Sequence, residues 1–347
     1  MSVVVTGGAG FIGSHVAEFF LRYGEEVVVL DNLSRADLLG KGREWRDYNS
    51  RYLRERYDRV KFVEADVREI GSFENAIGET KLIVHAAAQV AVTKSVEDPL
   101  TDFEVNARGT LTVLEFARRR DAPLIYFSTN KVYGENVNRI PVRDAGRMYV
   151  FADPRFERGI PESFPVDGCP HTPYGCSKLA ADLYVQDYAG TYGLPTAVLR
   201  LSCVYGERQF GVEDQGWLAH FVMRHLRNSV ITIYGDGKQV RDVLHVEDLV
   251  RVVDLITRDV GRFRGEVFNI GGGVENSVSL LEALDYIGQI SGRKPLLEFS
   301  EWRPADQKVY VSDYGKAERL LGWSPKIGWR EGVLRLYEWM RGILSNT

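Results

Sequence analysis

The first fifteen residues restrict what this chain can fold into more than any other stretch. Val3-Val4-Val5-Thr6 is a β-branched apolar run, and Gly7-Gly8-Ala9-Gly10 is a turn without bulky side chains. A helix with apolar Phe11, Ile12, Val16, Phe19 and Phe20 follows. A buried strand running through a glycine turn into a helix aims several backbone N–H groups at one point, where an anion belongs. Gly8, Gly10 and Gly13 fit G-x-G-x-x-G, and Gly7, Gly10 and Gly13 fit G-x-x-G-x-x-G. Both patterns remove side chains where a pyrophosphate must approach. A turn at Gly24, a second apolar strand Val27-Val28-Val29-Leu30 and a terminal Asp31 complete the unit. A carboxylate at that point hydrogen-bonds an adenosine ribose and repels a 2′-phosphate, which favours NAD over NADP. Gly7, Gly10, Phe11, Ile12, Gly13, Asp31 and Asn32 are therefore candidate contacts to the dinucleotide. A ligand-free glycine turn is the competing account, and five features falling in register argue against it.

Composition excludes several classes. The net charge is −4, from 44 Lys and Arg against 48 Asp and Glu, and the basic residues are interspersed with acidic ones, so nucleic acid is not an expected partner. Cys169, Cys176 and Cys203 show no C-x-x-C spacing, which supports neither a disulfide framework nor structural zinc and fits a reducing, cytoplasmic compartment. The six histidines are scattered, so no metal is expected. The apolar start lacks a basic leader and is broken by glycines, so it reads as a strand and not as a signal peptide. No apolar run approaches the ~18 residues of a membrane span.

At 347 residues two structural units are expected. The reading is an α/β chain with a doubly wound parallel sheet of the Rossmann kind over 1–201, completed by a segment returning near 240–272, and a smaller α/β substrate domain over 202–347. Asn32 to Gly42 reads as a loop and Arg43 to Arg59 as a surface helix with an aromatic stripe. The strand Val60 to Val63 leads to Asp66 and Val67, whose acid can reach adenine, and a short helix ends near Gly78. The strand Leu82 to His85 leads to Ala86-Ala87-Ala88, where small residues admit either a flat cofactor or tight packing. A helix from Pro99 to Arg119 carries Asn106. Strand Leu124 to Phe127 then delivers Ser128, Thr129, Asn130 and Lys131 at its carboxyl end, where ligands bind in a parallel sheet. The proline-bearing segment Glu135 to His171 is too long for a plain connection and is a candidate lid or insertion.

The helix opened by Thr172-Pro173 places Tyr174 and Lys178 four residues apart on one face. A surface pair is the alternative for an isolated Y-x-x-x-K. Its position after a nucleotide-binding half and a strand-end Ser128-Thr129 favours chemistry. From Ser202 onward the strand–helix alternation breaks down into loops rich in Gly, Arg, Gln and Asp. Arg208 and Gln209, Asp214 to Trp217, Gly235 to Val243, and Arg303 to Gln307 read as ligand-facing. Arginine forks suit a diphosphate, and surface salt bridges are the alternative for any single one. Tyr234, Phe210 and Trp302 are candidates either for stacking on a base or for the core.

Taken together, Thr6-Gly7-Gly8-Ala9-Gly10-Phe11-Ile12-Gly13, Thr129 beside Val132-Tyr133-Gly134, and Tyr174 with Lys178 resemble the extended short-chain dehydrogenase/reductase family acting on nucleotide sugars, from end to end of the chain. The resemblance implies NAD held by Gly7, Gly10, Phe11, Ile12, Gly13, Asp31, Asn32, Asp66, Val67, Ala86, Ala87, Ala88, Asn106, Tyr174 and Lys178. It implies catalysis by Thr129, Tyr174 and Lys178. A nucleotide-sugar substrate would be held by Asn130, Lys131, Arg208, Gln209, Gln215, Arg241, Arg303 and Asp306. Within the family, the segments around Thr129, Tyr174, Arg208 and Arg241 look most like members that invert C2 of a CDP-linked hexose. Inversion at C4 of a UDP-hexose remains a competing reading, and so does an NAD-binding regulator without turnover. Dehydratases of the family carry Asp-Glu after the strand-end Thr; Asn130-Lys131 stand there here, which disfavours loss of water. The resemblance also implies a homodimer through the helices containing Pro99 to Arg119 and Tyr174 to Tyr192.

Overall fold

A computed structural model describes residues 1–39, 43–303 and 306–345. The chain divides into two compact units. The first comprises Met1–Val132, Thr172–Arg200 and Val250–Phe268; the second comprises Tyr133–His171, Leu201–Leu249 and Asn269–Thr347. The segment 133–171 thus belongs to the second unit, although it falls within the expected 1–201.

A seven-stranded sheet organises the first unit. Its strands are β1 (Ser2–Thr6), β2 (Val27–Asp31), β3 (Val60–Glu64), β4 (Thr80–His85), β5 (Leu124–Thr129), β6 (Thr196–Leu201) and β7 (Glu266–Ile270), and they lie in the order β7-β6-β5-β4-β1-β2-β3. The pairs β1–β2, β1–β4, β2–β3 and β4–β5 are parallel. Val5 sits opposite Val29 on one side and Val84 on the other, and all three are fully buried. Strands covered on both faces need continuous apolar runs, which explains why Val3-Val4-Val5 and Val27-Val28-Val29 do not alternate. Val4, Val28, Leu30, Ile83, Leu114, Phe116 and Tyr126 share one core cluster. The strand order reverses between β1 and β4, so the glycine turn after β1 and Ala86–Ala88 after β4 meet at the switch point of the sheet.

Several local expectations are corrected. The helix from Pro99 to Arg119 is not regular: Pro99–Phe103 passes into a π-helical turn, Glu104–Arg108, before Gly109–Arg119 resumes as α-helix. The region 43–59 forms only a 3-10 turn, Arg43–Trp45, and a short helix, Tyr48–Arg54. Glu18 in the helix Phe11–Arg22 anchors that short helix by accepting hydrogen bonds from the Tyr52 and Tyr57 hydroxyls at 3.0 and 3.1 Å. The expected helix before Gly78 is a 3-10 turn, Ile70–Ser72. Arg35–Leu39 is helical where composition predicts a loop, and 40–42 lie outside the described residues.

The second unit is more regular than its loop-rich composition implies. Val240–His245 is its central strand, antiparallel to Ser277–Ser279 and parallel to Val309–Tyr310 and Cys203–Tyr205. Helices Trp217–Leu226, Leu280–Ser291 and Trp329–Ser345 pack over a core of Tyr205, Leu218, Phe221, Ile233, Leu284, Trp329 and Leu336. The inserted segment is stitched into this unit. Its hairpin, Val142–Asp144 with Tyr149–Phe151, is tied down by the Tyr149 N–H donating to the Lys238 carbonyl at 3.0 Å and the Tyr149 hydroxyl donating to Asp236 at 2.5 Å. Further along, the Ile160 N–H donates to the Val311 carbonyl at 2.7 Å. These bonds make the insertion a brace for the 235–238 turn rather than a detached lid.

Candidate active site

The glycine turn is shaped by contacts that leave no room for a Cβ. Gly7 has φ +65°, and a Cβ there would lie 2.7 Å from the Ala87 backbone; one at Gly13 would overlap the Gly7 carbonyl. The Ala86–Ala87 backbone lies close against the glycine turn, with the Ala86 N–H donating to the Thr6 carbonyl at 3.1 Å. The helix Phe11–Arg22 starts at Gly10 with neither a side-chain cap nor an acidic residue in its first turn. Its positive end therefore lacks an anion from the helix's own first turn, which fits a pyrophosphate. Asp31, at the end of β2, accepts from the Ala9 N–H at 3.0 Å and the Leu33 N–H at 2.8 Å. Burial pushes its carboxyl up, and those two amides oppose the shift. The donor set and the side-chain-free cradle fit a dinucleotide.

Asp66, the expected adenine contact, is held by its neighbours. Its carboxylate accepts from Asn32 Nδ2 at 3.0 Å and from the Arg68 N–H, Nε and Nη2 at 2.9, 3.0 and 2.7 Å. Four donors occupy its two oxygens, and Arg68 holds the carboxyl below the usual range. Val67 is buried against the face of Gly109, where a Cβ would lie 2.9 Å from Val67 Cγ2.

Thr129 ends β5, and the helix Thr172–Thr191 carries Tyr174 and Lys178 on one buried face. The Tyr174 phenol is pushed up to about 12 by burial, while a hydrogen bond with the Thr129 side chain pulls the other way. Lys178 Nζ donates to the Phe127 carbonyl at 2.7 Å and lies 4.3 Å from the centre of the Tyr126 ring. Burial pushes its ammonium down to about 7, and Asp182 and then Asp102 oppose that shift. The arrangement gives a phenol that can carry a proton and an amine poised to lose its charge near neutrality. Thr129 Oγ1 also donates to Asn130 Oδ1 at 3.3 Å and accepts from the Lys131 N–H at 3.3 Å.

A layer of buried polar groups that spacing does not reveal supports this pair. Arg200 on β6 grips Asp182 through Nε at 3.0 Å and Nη2 at 3.1 Å, and the Ser128 hydroxyl donates to the same carboxylate at 2.6 Å. Asn106 turns its amide into the protein: Oδ1 accepts from the Gln89 N–H at 2.9 Å, and Nδ2 faces the Gln89 carbonyl, Asp102 and Ser177 at 3.1 Å each. Its side chain thus braces the π turn. His85 is held between Thr6 at 2.6 Å and Thr110 at 3.0 Å. The Thr110 hydroxyl donates to the Asn106 carbonyl at 2.6 Å, which leaves its oxygen to accept from Nε2–H and assigns the proton to Nε2. Burial, then the charge on Lys178, pushes this imidazole down to about 3. The one legible hint is the i,i+4 spacing of Asp102 and Asn106.

In the second unit, residues read as substrate-facing are largely engaged with one another. Arg241 donates to the carbonyls of Val240 and Gln307 at 2.7 and 2.6 Å and pairs with Asp306 at 2.5 Å. Arg303 lies 4.0 Å over the Tyr234 ring and within 3.7 Å of Asp214, while the Tyr234 hydroxyl donates to Glu213 at 2.5 Å. Trp302 lies flat against Gly235, where a Cβ would come within 2.6 Å of the indole. Arg208 and Gln209 are both buried, and Gln209 Nε2 donates to the Val204 carbonyl at 3.2 Å. Gln215 exchanges backbone hydrogen bonds with Val212 at 2.9 and 3.0 Å. Phe210 packs 5.3 Å from Trp339, a core contact. Asp242, read as part of a ligand-facing loop, is fully buried on the central strand, where it accepts from the Ser202 hydroxyl and from the Ser312 N–H at 3.1 Å. Pro304 and Ala305 lie outside the described residues.

A phenol and an amine beside a dinucleotide cradle are the equipment of α/β enzymes that oxidise and reduce alcohols with NAD. The chain belongs to the NAD dependent epimerase/dehydratase family, whose model matches residues 3–271, and NAD is its cofactor. It is 38% identical to CDP-paratose 2-epimerase of Salmonella typhi, covering 99% of this chain and 100% of that one. It is also 33% identical to a putative UDP-glucose 4-epimerase of Methanocaldococcus jannaschii, covering 98% of each. Among solved structures, the Thermus thermophilus UDP-glucose 4-epimerase in complex with NAD matches with a TM-score of 0.79 and 33% identity over 99% of both chains. Among the described residues there is neither a cluster of metal-ligating side chains nor a helix long and apolar enough to cross a membrane.

Proposed function

We propose that the protein inverts C2 of a CDP-linked hexose of the CDP-paratose/CDP-tyvelose type through a transient keto sugar. The end-to-end 38% identity to a CDP-paratose 2-epimerase carries this reading. Bound NAD supplies a hydride acceptor that later returns the hydride, so no external reductant is consumed. Tyr174 removes the proton of the sugar hydroxyl and gives it back at the end of the cycle. Thr129 hydrogen-bonds the reacting oxygen, and the Lys178 charge favours ionised Tyr174 while its amine holds the nicotinamide ribose. Arg208, Arg241 and Arg303 hold the diphosphate, while Gln209, Gln215, Asp306, Asn130 and Lys131 contact other parts of the nucleotide sugar. Neither Asn130 nor Lys131 can act as the carboxylic acid that elimination of water requires, so the sugar keeps its oxygen count.

Inversion at C4 of a UDP-hexose is the second reading, favoured by the Methanocaldococcus relative. A panel of nucleotide sugars read by NMR separates the two. Inversion at C2 of a CDP-hexose supports the proposal, inversion only at C4 replaces it, and loss of water refutes both. A cytoplasmic homodimer belongs to the same proposal. Leu100, Phe103, Leu183 and Tyr184 leave large apolar surfaces in solvent on the helices Pro99–Phe103 and Thr172–Thr191, with Leu100 77% exposed. Leu100→Glu with Leu183→Glu should yield monomers by light scattering.

A further inference from the structure

We infer that Asp102 is a positioning residue for Tyr174 and Lys178: through Ser177 it fixes the first turn of their helix, and it supplies a negative charge that faces the Lys178 amine. This rests on reading Tyr174 and Lys178 as the catalytic pair.

Asp102 is 1% exposed and accepts three hydrogen bonds, from the Ser177 hydroxyl at 2.5 Å, Gln89 Nε2 at 2.7 Å and Asn106 Nδ2 at 3.1 Å. Ser177 Oγ also lies 3.1 Å from the Tyr174 carbonyl, and the Tyr174 N–H donates to the Ser95 hydroxyl at 3.1 Å. Both peptide groups flanking the catalytic phenol are thereby held by buried hydroxyls. One of those hydroxyls is anchored on Asp102.

A neutral amide could serve as anchor, so the charge needs its own explanation. Burying a carboxylate is costly, and three neutral donors offset that cost only in part. Groups facing Lys178 come from every neighbouring element. Asp182 lies on its own helix, Asp102 on Pro99–Phe103, His85 on β4 and Tyr126 on β5. Asp182 is paired with Arg200, which offsets its charge. All three donors to Asp102 are neutral, and its charge acts on the amine second to that of Asp182. The same charge opposes ionisation of Tyr174.

Removing the charge therefore makes both groups lose their protons at lower pH, whichever macroscopic step each one dominates. Asp102→Asn keeps two acceptor contacts, and its amide can donate to Ser177. The holoenzyme variant should show both limbs of its activity–pH profile displaced toward acid by ~0.5–1 unit. A readout independent of turnover follows Lys178 directly. The unfolding midpoint is measured against pH for wild type and Asp102→Asn, each minus the same protein carrying Lys178→Met in addition. Because the fold depresses this amine, its contribution to stability rises with pH from about 7 toward the unfolded value. In Asp102→Asn that rise should begin at lower pH. Ser177→Ala keeps the carboxylate but cuts the link, so kcat should fall about tenfold while KM and both limbs stay in place. Unmoved limbs and an unmoved stability onset in Asp102→Asn would overturn the role of the charge. A wild-type kcat in Ser177→Ala would overturn the role of the link, and it decides the matter alone if Asp102→Asn does not fold. A fully active Tyr174→Phe would instead remove the catalytic reading beneath.

Discussion

The surroundings of Tyr174 and Lys178 in the first unit and the Arg303 loop in the second treat charge differently. In the first, Asp182 between Arg200 and Ser128 and His85 between two threonines are withdrawn from water and fixed by short hydrogen bonds. In the second, an arginine read as ligand-facing rests on acidic neighbours with partial solvent access: Arg303 is 30% and Asp214 24% exposed at the side chain. Buried, rigid polar groups have shifted proton affinities and suit chemistry. Partly exposed pairs exchange partners at small cost and suit binding and release of a charged substrate.

Variants should split along that line. Tyr174→Phe carries the largest expected effect, a loss of about 10³-fold in turnover with nucleotide-sugar binding intact, measured by kcat and by equilibrium titration. If binding fell and turnover survived, the contrast between the units would fail at its centre. Next comes Arg200→Met, which leaves Asp182 charged and buried without its cation. Breaking such a pair costs about 3–5 kcal/mol, to be read from denaturant midpoints. Arg303→Ala in the second unit should instead weaken the nucleotide diphosphate by roughly 10–100-fold, with a melting temperature close to wild type, because its interactions are exposed. The smallest effect is a slope. His85 stays neutral in the fold down to about 3, whereas the unfolded chain takes up a proton near 6.5. The stability from this group is present above 6.5 and is lost as pH falls toward 3, at up to about 1.4 kcal/mol per unit. His85→Gln should flatten that part of the curve of unfolding free energy against pH.

Legibility in the sequence follows the range of the interactions involved. The glycine turn and Asp31 act within one strand–helix–strand unit, and Tyr174 and Lys178 act across one helical turn, so spacing exposes them. Arg241 and Asp306 both stand out by residue type, but their pairing across 65 positions does not. Asp66 reads as an adenine contact because an acid after a third strand is the right residue type, and nothing local announces that Arg68 and Asn32 fill its oxygens. Composition misleads in the second unit: polar, glycine-rich stretches there close turns between strands and helices, and Asp242 is a buried anchor for Ser202 and Ser312.

By itself the amino-acid order determined the dinucleotide-binding half, the placing of Tyr174 and Lys178 on one helix face, and the family. Each is encoded by residues near in sequence whose geometry follows from backbone periodicity. Only the folded molecule decided that Asp102 meets Ser177 across 75 positions, that Asp182 is offset by Arg200, and that 133–171 braces the second unit. Those outcomes depend on which buried polar groups find partners once water is excluded. That choice is made by the whole chain and leaves no periodic trace along it.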